Sequence, residues 1–229
     1  MAKLIFLCRR RADITHQRYT ELLLRGHVPI ALEHHPFMRK YVVNIVETSP
    51  ESEDELDSIG ELSFDRLADF RERLYDSAAG REIVERDVRG FMGMAHAYAT
   101  TEHVQKAGAR AGALGTRSVG VKLICPVQRR AGMTHAAFVD HWLKRHVPLA
   151  LEHHPGLSRY VTNVVDQRLS DGGHEWDGFA ELHLASEQDL RAGLFDSAAG
   201  ERAIREDIAR FIGRTGAYRV AEYVQKAPD

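Results

Sequence analysis

His27-Val-Pro-Ile-Ala-Leu-Glu-His-His-Pro36 returns as His146-Val-Pro-Leu-Ala-Leu-Glu-His-His-Pro155, 119 positions further on (27 to 146), with one Ile-to-Leu exchange. The register extends in both directions. Upstream, Thr15-His16 matches Thr134-His135; downstream, Tyr41-Val42 matches Tyr160-Val161 and Asn44 matches Asn163. After one inserted residue, Asp76-Ser-Ala-Ala-Gly80 matches Asp196-Ser-Ala-Ala-Gly200, and Val104-Gln-Lys-Ala107 matches Val224-Gln-Lys-Ala227. A period this long describes a domain-sized unit rather than one element of a solenoid. The chain therefore reads as repeat 1 over residues 1–107, a Gly/Ala-rich linker over 108–116 and repeat 2 over 117–229.

Composition narrows the class. With 229 residues, 44% hydrophobic and 28% charged, the chain can bury a proper core and is not a disordered one. A formal net charge of −2 points to neither nucleic acid nor an anionic membrane as a partner, and Arg9-Arg10-Arg11 reads as a solvated turn. No run of about 18 apolar residues occurs, and Met-Ala-Lys-Leu-Ile-Phe-Leu leads into strand-like sequence without a signal-peptide pattern, so a cytoplasmic protein is expected. Cys8 and Cys125 fall at non-equivalent positions and read as small buried hydrophobes, not a disulfide or metal pair.

Each repeat opens on a β-rich run, Lys3–Cys8 or Val119–Cys125, followed by a polar turn ending at an N-capping threonine, Thr15 or Thr134. Tyr19, Leu23, His27 and Ile30, and their partners Phe138, Trp142, His146 and Leu149, recur at helical spacing, which places one histidine on the buried face of each helix. Pro29 and Pro148 are expected to end or bend that helix and start a short second one, which His-His-Pro closes. Two strands follow, 40–47 and 59–64 in repeat 1, then an amphipathic helix broken near Asp-Ser-Ala-Ala-Gly and a last strand. The order β-α-β-β-α-β is an α+β, ferredoxin-like unit with one sheet face left bare. A tandem copy covers that face, so two such repeats should form an intramolecular pseudo-dimeric α/β barrel.

The run Arg-Arg-x-Gly-Met-Thr-His-x-x-Phe-x-x-x-Trp-x-x-x-His-x-Pro-Leu-Ala over residues 129–150, with Pro155-Gly-Leu-x-Arg-Tyr-Val-x-Asn163 and Asp177-Gly-Phe-Ala-Glu-Leu182, resembles the EthD domain of the dimeric α/β-barrel superfamily. Both repeats fit, the second better: the first has Leu23 for the tryptophan, Phe37 for the glycine and Ser58-Ile for Gly-Phe. The resemblance implies a cytosolic, often cofactor-free barrel related to dehydratases, cyclases, decarboxylases and accessory proteins. It also draws suspicion to the helix histidines, His27 and His146, and the strand acids, Glu61 and Glu181.

The residues themselves point to proton transfer. A histidine on an apolar helix face can shuttle protons near neutral pH, or it can tie the helix to a backbone carbonyl. Glu61 and Glu181 sit mid-strand among apolar neighbours, where desolvation raises a carboxyl pKa unless a cation neutralises it. His183 lies two residues after Glu181 on the same strand face, whereas Ser63 stands there in repeat 1. This asymmetry favours repeat 2, with His146, Glu181 and His183 as catalytic groups and Asn163 and Tyr160 (Asn44 and Tyr41 in repeat 1) holding a substrate oxygen. Trp142 and Tyr218 are further substrate-contacting candidates. The adjacent pairs His34-His35 and His153-His154 diverge on a helix, so no metal is assigned.

The leading expectation is a cofactor-independent lyase, dehydratase or isomerase acting on a small aromatic or polyketide-like molecule in the barrel cavity. The alternatives are a noncatalytic ligand-binding accessory protein of a degradation pathway and a haem- or metal-dependent oxidase. A small-molecule substrate is the expected partner, and fused barrels can still pair as a homodimer through their outer helices.

Overall fold

The computed structural model describes residues 1–51, 53–108 and 112–228, so residues 109–111 of the expected linker lie outside the described residues. Repeat 1 contributes β1 (Ala2–Arg10), β2 (Met38–Thr48), β3 (Ser58–Phe64) and β4 (Met92–Lys106), hydrogen-bonded in the order β4-β1-β3-β2. Repeat 2 repeats this with β5 (Val121–Arg129), β6 (Leu157–Arg168), β7 (Gly178–Leu184) and a last strand interrupted into β8 (Ile212–Thr215) and β9 (Tyr218–Lys226). The halves do not merely stack. Antiparallel pairing of β4 with β6 and of β2 with β9 closes them into one continuous eight-stranded barrel, with no free edge among the described residues.

The strands' period of two gives the barrel two different faces. Leu4, Tyr41, Val43 and Phe64 point outward into a core under the helices of repeat 1; Val127, Tyr160, Ala180 and Leu184 do the same in repeat 2. Residues of the other parity point inward. At one end of the barrel they are apolar: Ile5, Ile59, Ile124 and Phe179 pack with Tyr98 and Tyr218, whose hydroxyls donate to the carbonyls of His174 and Asp54 at 2.8 and 2.7 Å and tie down two capping loops. At the other end they are charged. Burial on both faces explains strands richer in apolar residues than simple alternation requires.

A short second helix starts at the proline of each repeat and closes at His-His-Pro, as expected, but it is joined to the first through a π-helical turn rather than separated by a stop. Thr15 accepts the Arg18 N–H and starts α1 (His16–Glu21); a π-helical stretch, Leu22–His27, then runs into α2 (Val28–His34) with helical dihedrals maintained through the junction. Pro29 has no N–H to donate and would crowd the preceding turn; the wider turn, in which Val28 N–H reaches Leu23 O, absorbs that conflict without ending the helix. Repeat 2 does the same through α5 (His135–His141), a π-helical Trp142–His146 and α6 (Val147–His153). The second helical layer of each repeat is broken as the sequence predicts, into α3 (Leu67–Arg73) and α4 (Ala78–Phe91), then α7 (Glu187–Ala192) and α8 (Ala198–Phe211). No helix among the described residues is long and apolar enough to cross a membrane.

Candidate functional site

The barrel interior is a filled ion-pair core rather than a hollow. Lys3 on β1 places Nζ 2.5 Å from Glu181, 2.7 Å from Glu102 and 2.9 Å from Glu61; its repeat-2 counterpart Lys122 lies 2.5 Å from Glu61, 2.8 Å from Glu222 and 3.0 Å from Glu181. Asn44 and Asn163 donate to Glu61 and Glu181 at 2.9 and 2.8 Å. Each lysine thus bridges carboxylates from both repeats. Burial and the nearby Glu181 push the Glu61 carboxyl upward, but Lys122, Lys3 and Lys40 outweigh them and hold it well below the usual carboxylate range. For Glu181 the opposing pull of Lys122 and Lys3 likewise exceeds the cost of burial. Of the two readings open for these acids, a carboxyl raised by desolvation or one neutralised by a cation, the second holds, and the cations are two strand lysines rather than an arginine or histidine.

His183 does join Glu181 inside the barrel, with Nε2 3.8 Å from Oε2, and burial keeps its ring neutral. His146 does not. It stands on the far side of the sheet, under α8, so the expected convergence of His146, Glu181 and His183 fails. The reason is geometric, since helices cover only the outward strand face while both glutamates point inward. Asn44, Asn163 and Tyr218 are inward too, separated from Tyr41 and Tyr160, which face the helices, and from Trp142, which projects from one of them.

What the structure brings together lies between helices and sheet, once per repeat. In repeat 1 a cavity of about 300 Å³ has an apolar wall that includes Phe6, Leu23, Leu62 and Phe70, with His27, His35, Tyr41, Ser58 and Tyr75 among its polar lining. His27 Nδ1 donates to Asp87 of α4 at 2.8 Å, and His35 Nδ1 donates to the Leu74 carbonyl at 2.9 Å. Because both partners only accept, the proton sits on Nδ1 and Nε2 is the nitrogen left for a ligand. Burial, reinforced by the neighbouring His27, lowers the His35 pKa and keeps that ring neutral despite the Leu74 carbonyl, which favours the charged form. Burial likewise raises the Tyr41 hydroxyl above its ordinary value, so it remains a neutral phenol. Cys8, also on the lining, is pushed by burial to about 12 and is no thiolate nucleophile.

Repeat 2 has the same arrangement in a smaller space of about 200 Å³, lined by Trp142, His146, His154 and Tyr160. His146 Nδ1 lies 3.0 Å from Asp207, but His141 also binds that carboxylate at 2.9 Å, whereas Leu22 stands at the corresponding place in repeat 1. The six-membered ring of the Trp142 indole packs against Gly178. A Cβ at residue 178 would come 2.2 Å from its Cζ3 and 2.9 Å from the Asn163 carbonyl. Gly178→Ala should therefore cost about 1–3 kcal/mol of stability, as overpacked cores do; an unchanged thermal midpoint would contradict this packing.

Sequence reasoning missed His35 and His154 as cavity residues, Asp87 and Asp207 as their neighbours' partners, and Lys3, Lys122, Glu102 and Glu222 in the barrel. The signal for the lysines was present: one lysine in an otherwise apolar strand of each repeat, matching one acid in β3 and β7. Adjacent histidines such as His34 and His35 do diverge, the first to Asp76 at 3.1 Å and the second to Leu74.

An eight-stranded antiparallel barrel built from two βαββαβ halves, with a helix-covered cavity on the outer face of each, is the dimeric α/β barrel. Residues 130–215, within the second repeat, match the EthD domain, and the whole chain has the fold of a dimeric α/β barrel. It is similar to an anthrone oxidase-like protein (TM-score 0.64, 10% identity, covering 98% of this chain and 92% of that one). A monooxygenase-like protein from Fusobacterium nucleatum subsp. nucleatum superposes with TM-score 0.61 at 8% identity, covering 100% and 94%. Another from Lactobacillus acidophilus NCFM gives 0.51 at 10%, covering 99% and 96%. At these identities the likeness shows the shared fold. No curated protein shows significant sequence similarity to the chain.

Proposed function

We propose that the chain is an enzyme that moves protons on a small aromatic or polyketide-like substrate, without a cofactor, in the helix-side cavity of repeat 1. The observation that carries this reading is the set of polar groups in an otherwise apolar pocket: His27 backed by Asp87, His35 held neutral on the Leu74 carbonyl, and the Tyr41 phenol. His27 accepts a proton from a carbon next to a substrate carbonyl, and the Asp87 carboxylate compensates the imidazolium that forms. Tyr41 donates a hydrogen bond to the oxygen on which charge develops, and His35 Nε2 accepts one from a substrate hydroxyl. Proton removal and return at carbon is the step common to lyases, dehydratases and isomerases of this type.

Repeat 1 is favoured over repeat 2 because its cavity is larger and its aspartate serves one histidine instead of two. The test is deuterium uptake into 2-tetralone, a bicyclic carbon acid, followed by NMR in D₂O. The protein should accelerate exchange; His27→Ala should lower that rate by about 10²–10⁴, the usual contribution of a positioned base, and His146→Ala should leave it nearly unchanged. Exchange at the buffer rate, or loss in the His146 variant alone, removes the assignment.

A further inference from the structure

The two repeats hold the same cavity in two states of filling, and the difference reads out what the open one takes. In repeat 2 the six-membered ring of the Trp142 indole packs against Gly178 and lines one cavity with Tyr160, the tryptophan being almost wholly buried. In repeat 1 the corresponding residues are Leu23, Ser58 and Tyr41. Leu23 is too short to cover Ser58, which lines the cavity floor and hydrogen-bonds Tyr19 at 2.7 Å, an oxygen for which Phe138 has no counterpart. Among the described residues the Tyr41 hydroxyl has no hydrogen-bond partner, although the residue is 4% exposed. A buried phenol facing an apolar cavity without a partner is an unfilled hydrogen-bonding position.

We propose that the repeat-1 cavity binds one planar, two-ring molecule whose polar edge group hydrogen-bonds the Tyr41 hydroxyl, in the place that the Trp142 indole fills in repeat 2. Trp142 is thus a built-in ligand that leaves repeat 2 the smaller space, about 200 Å³ against about 300 Å³, and the repeat-1 cavity is the site that a free ring takes. The reciprocal side chains explain why the occupant differs. An indole at 142 requires glycine at 178, where a Cβ would come 2.2 Å from it, whereas repeat 1 has Leu23 and Ser58 at those places and both line its cavity. Among the described residues no lysine or arginine lines the cavity, which favours a ring N–H, hydroxyl or carbonyl over a carboxylate as the edge group.

This inference rests on the reading of repeat 1 as the working cavity and deepens it. The probe is indole, with indene as the ring system lacking the N–H, measured by isothermal titration calorimetry on the full chain. Indole should bind with one equivalent per chain, and indene about tenfold more weakly, the difference expected for one net hydrogen bond of about 1.4 kcal/mol. Tyr41→Phe should erase the preference for indole over indene. Leu23→Trp combined with Ser58→Gly, which copies repeat 2 into repeat 1, should abolish binding while circular dichroism and the thermal midpoint show a folded chain. Trp142→Leu should raise the stoichiometry from one to two. No binding to the wild type, two equivalents in the wild type, or indole affinity unchanged by either the cavity-filling pair or Tyr41→Phe would overturn the proposal. If the filled variant does not fold, the Tyr41→Phe and Trp142→Leu measurements still decide. Indole binding without any exchange into 2-tetralone counts against the proton-transfer reading alone; exchange without indole binding counts against this inference alone.

Discussion

Replacing Lys122 with methionine should destabilise the chain by about 3–5 kcal/mol, the cost of removing one partner from a buried ion-pair set. The lysine has three carboxylates within 3.0 Å, one from repeat 1 and two from repeat 2, and all four side chains are at most 3% exposed. Removing its charge leaves Glu61, Glu181 and Glu222 facing one another with Lys3 as the main remaining counter-charge. Methionine keeps most of the side-chain volume, so the loss reports charge and not a cavity. Adding Glu61→Gln to the lysine variant should recover part of the loss, because the uncompensated charge then falls. Urea unfolding measures both; a loss below about 1 kcal/mol would mean that water, not protein, compensates these groups.

The same cluster sets the pH limits of the fold. Glu61 and Glu181 have folded pKa values well below the carboxylate range, so the stability they contribute is present above their unfolded pKa of about 4.3 and is lost as pH falls through the lower folded values. Lys3 and Lys122 are raised above their ordinary value despite burial, because the carboxylates around them outweigh the desolvation cost. Their contribution is full below the unfolded pKa of about 10.4 and declines only as pH rises past it toward the folded values. The thermal midpoint should therefore be flat between about pH 6 and pH 9 and fall steeply below about pH 4.5. His183 is buried neutral with its pKa lowered, so protonating it below the ordinary histidine range adds to the acid loss. A midpoint that holds down to pH 3 would contradict the ionised state of the two glutamates.

The fold was legible because duplication wrote the same helix and strand periodicities twice, and because a bare sheet face in each copy needs its twin. Closure through β4–β6 and β2–β9 was less visible, since strand-edge pairing leaves no mark on side-chain pattern. For the site, the types of residue were readable and their grouping was not. Tyr41 and Asn44 are three apart on one strand, as are Tyr160 and Asn163, and a period of two puts such pairs on opposite faces. Applying that parity separates the helix-side set (His27, Tyr41, His146, Tyr160, Trp142) from the barrel set (Glu61, Glu181, His183, Asn44, Asn163, Tyr218). Asp87 and Asp207 are a different matter. They look like surface acids on amphipathic helices, and only the packing of α4 and α8 on the π-helical turns brings them to His27 and His146.

Chemistry on the helix side of the sheet, with a locked ionic core behind it, is tested most directly by histidine ring signals in a ¹H–¹³C NMR titration with 2-tetralone. The rings of His27 and His35 should shift on binding, while His183 and the barrel carboxylates stay where they are. Shifts at His183 with His27 and His35 unmoved would place the ligand inside the barrel and contradict the account.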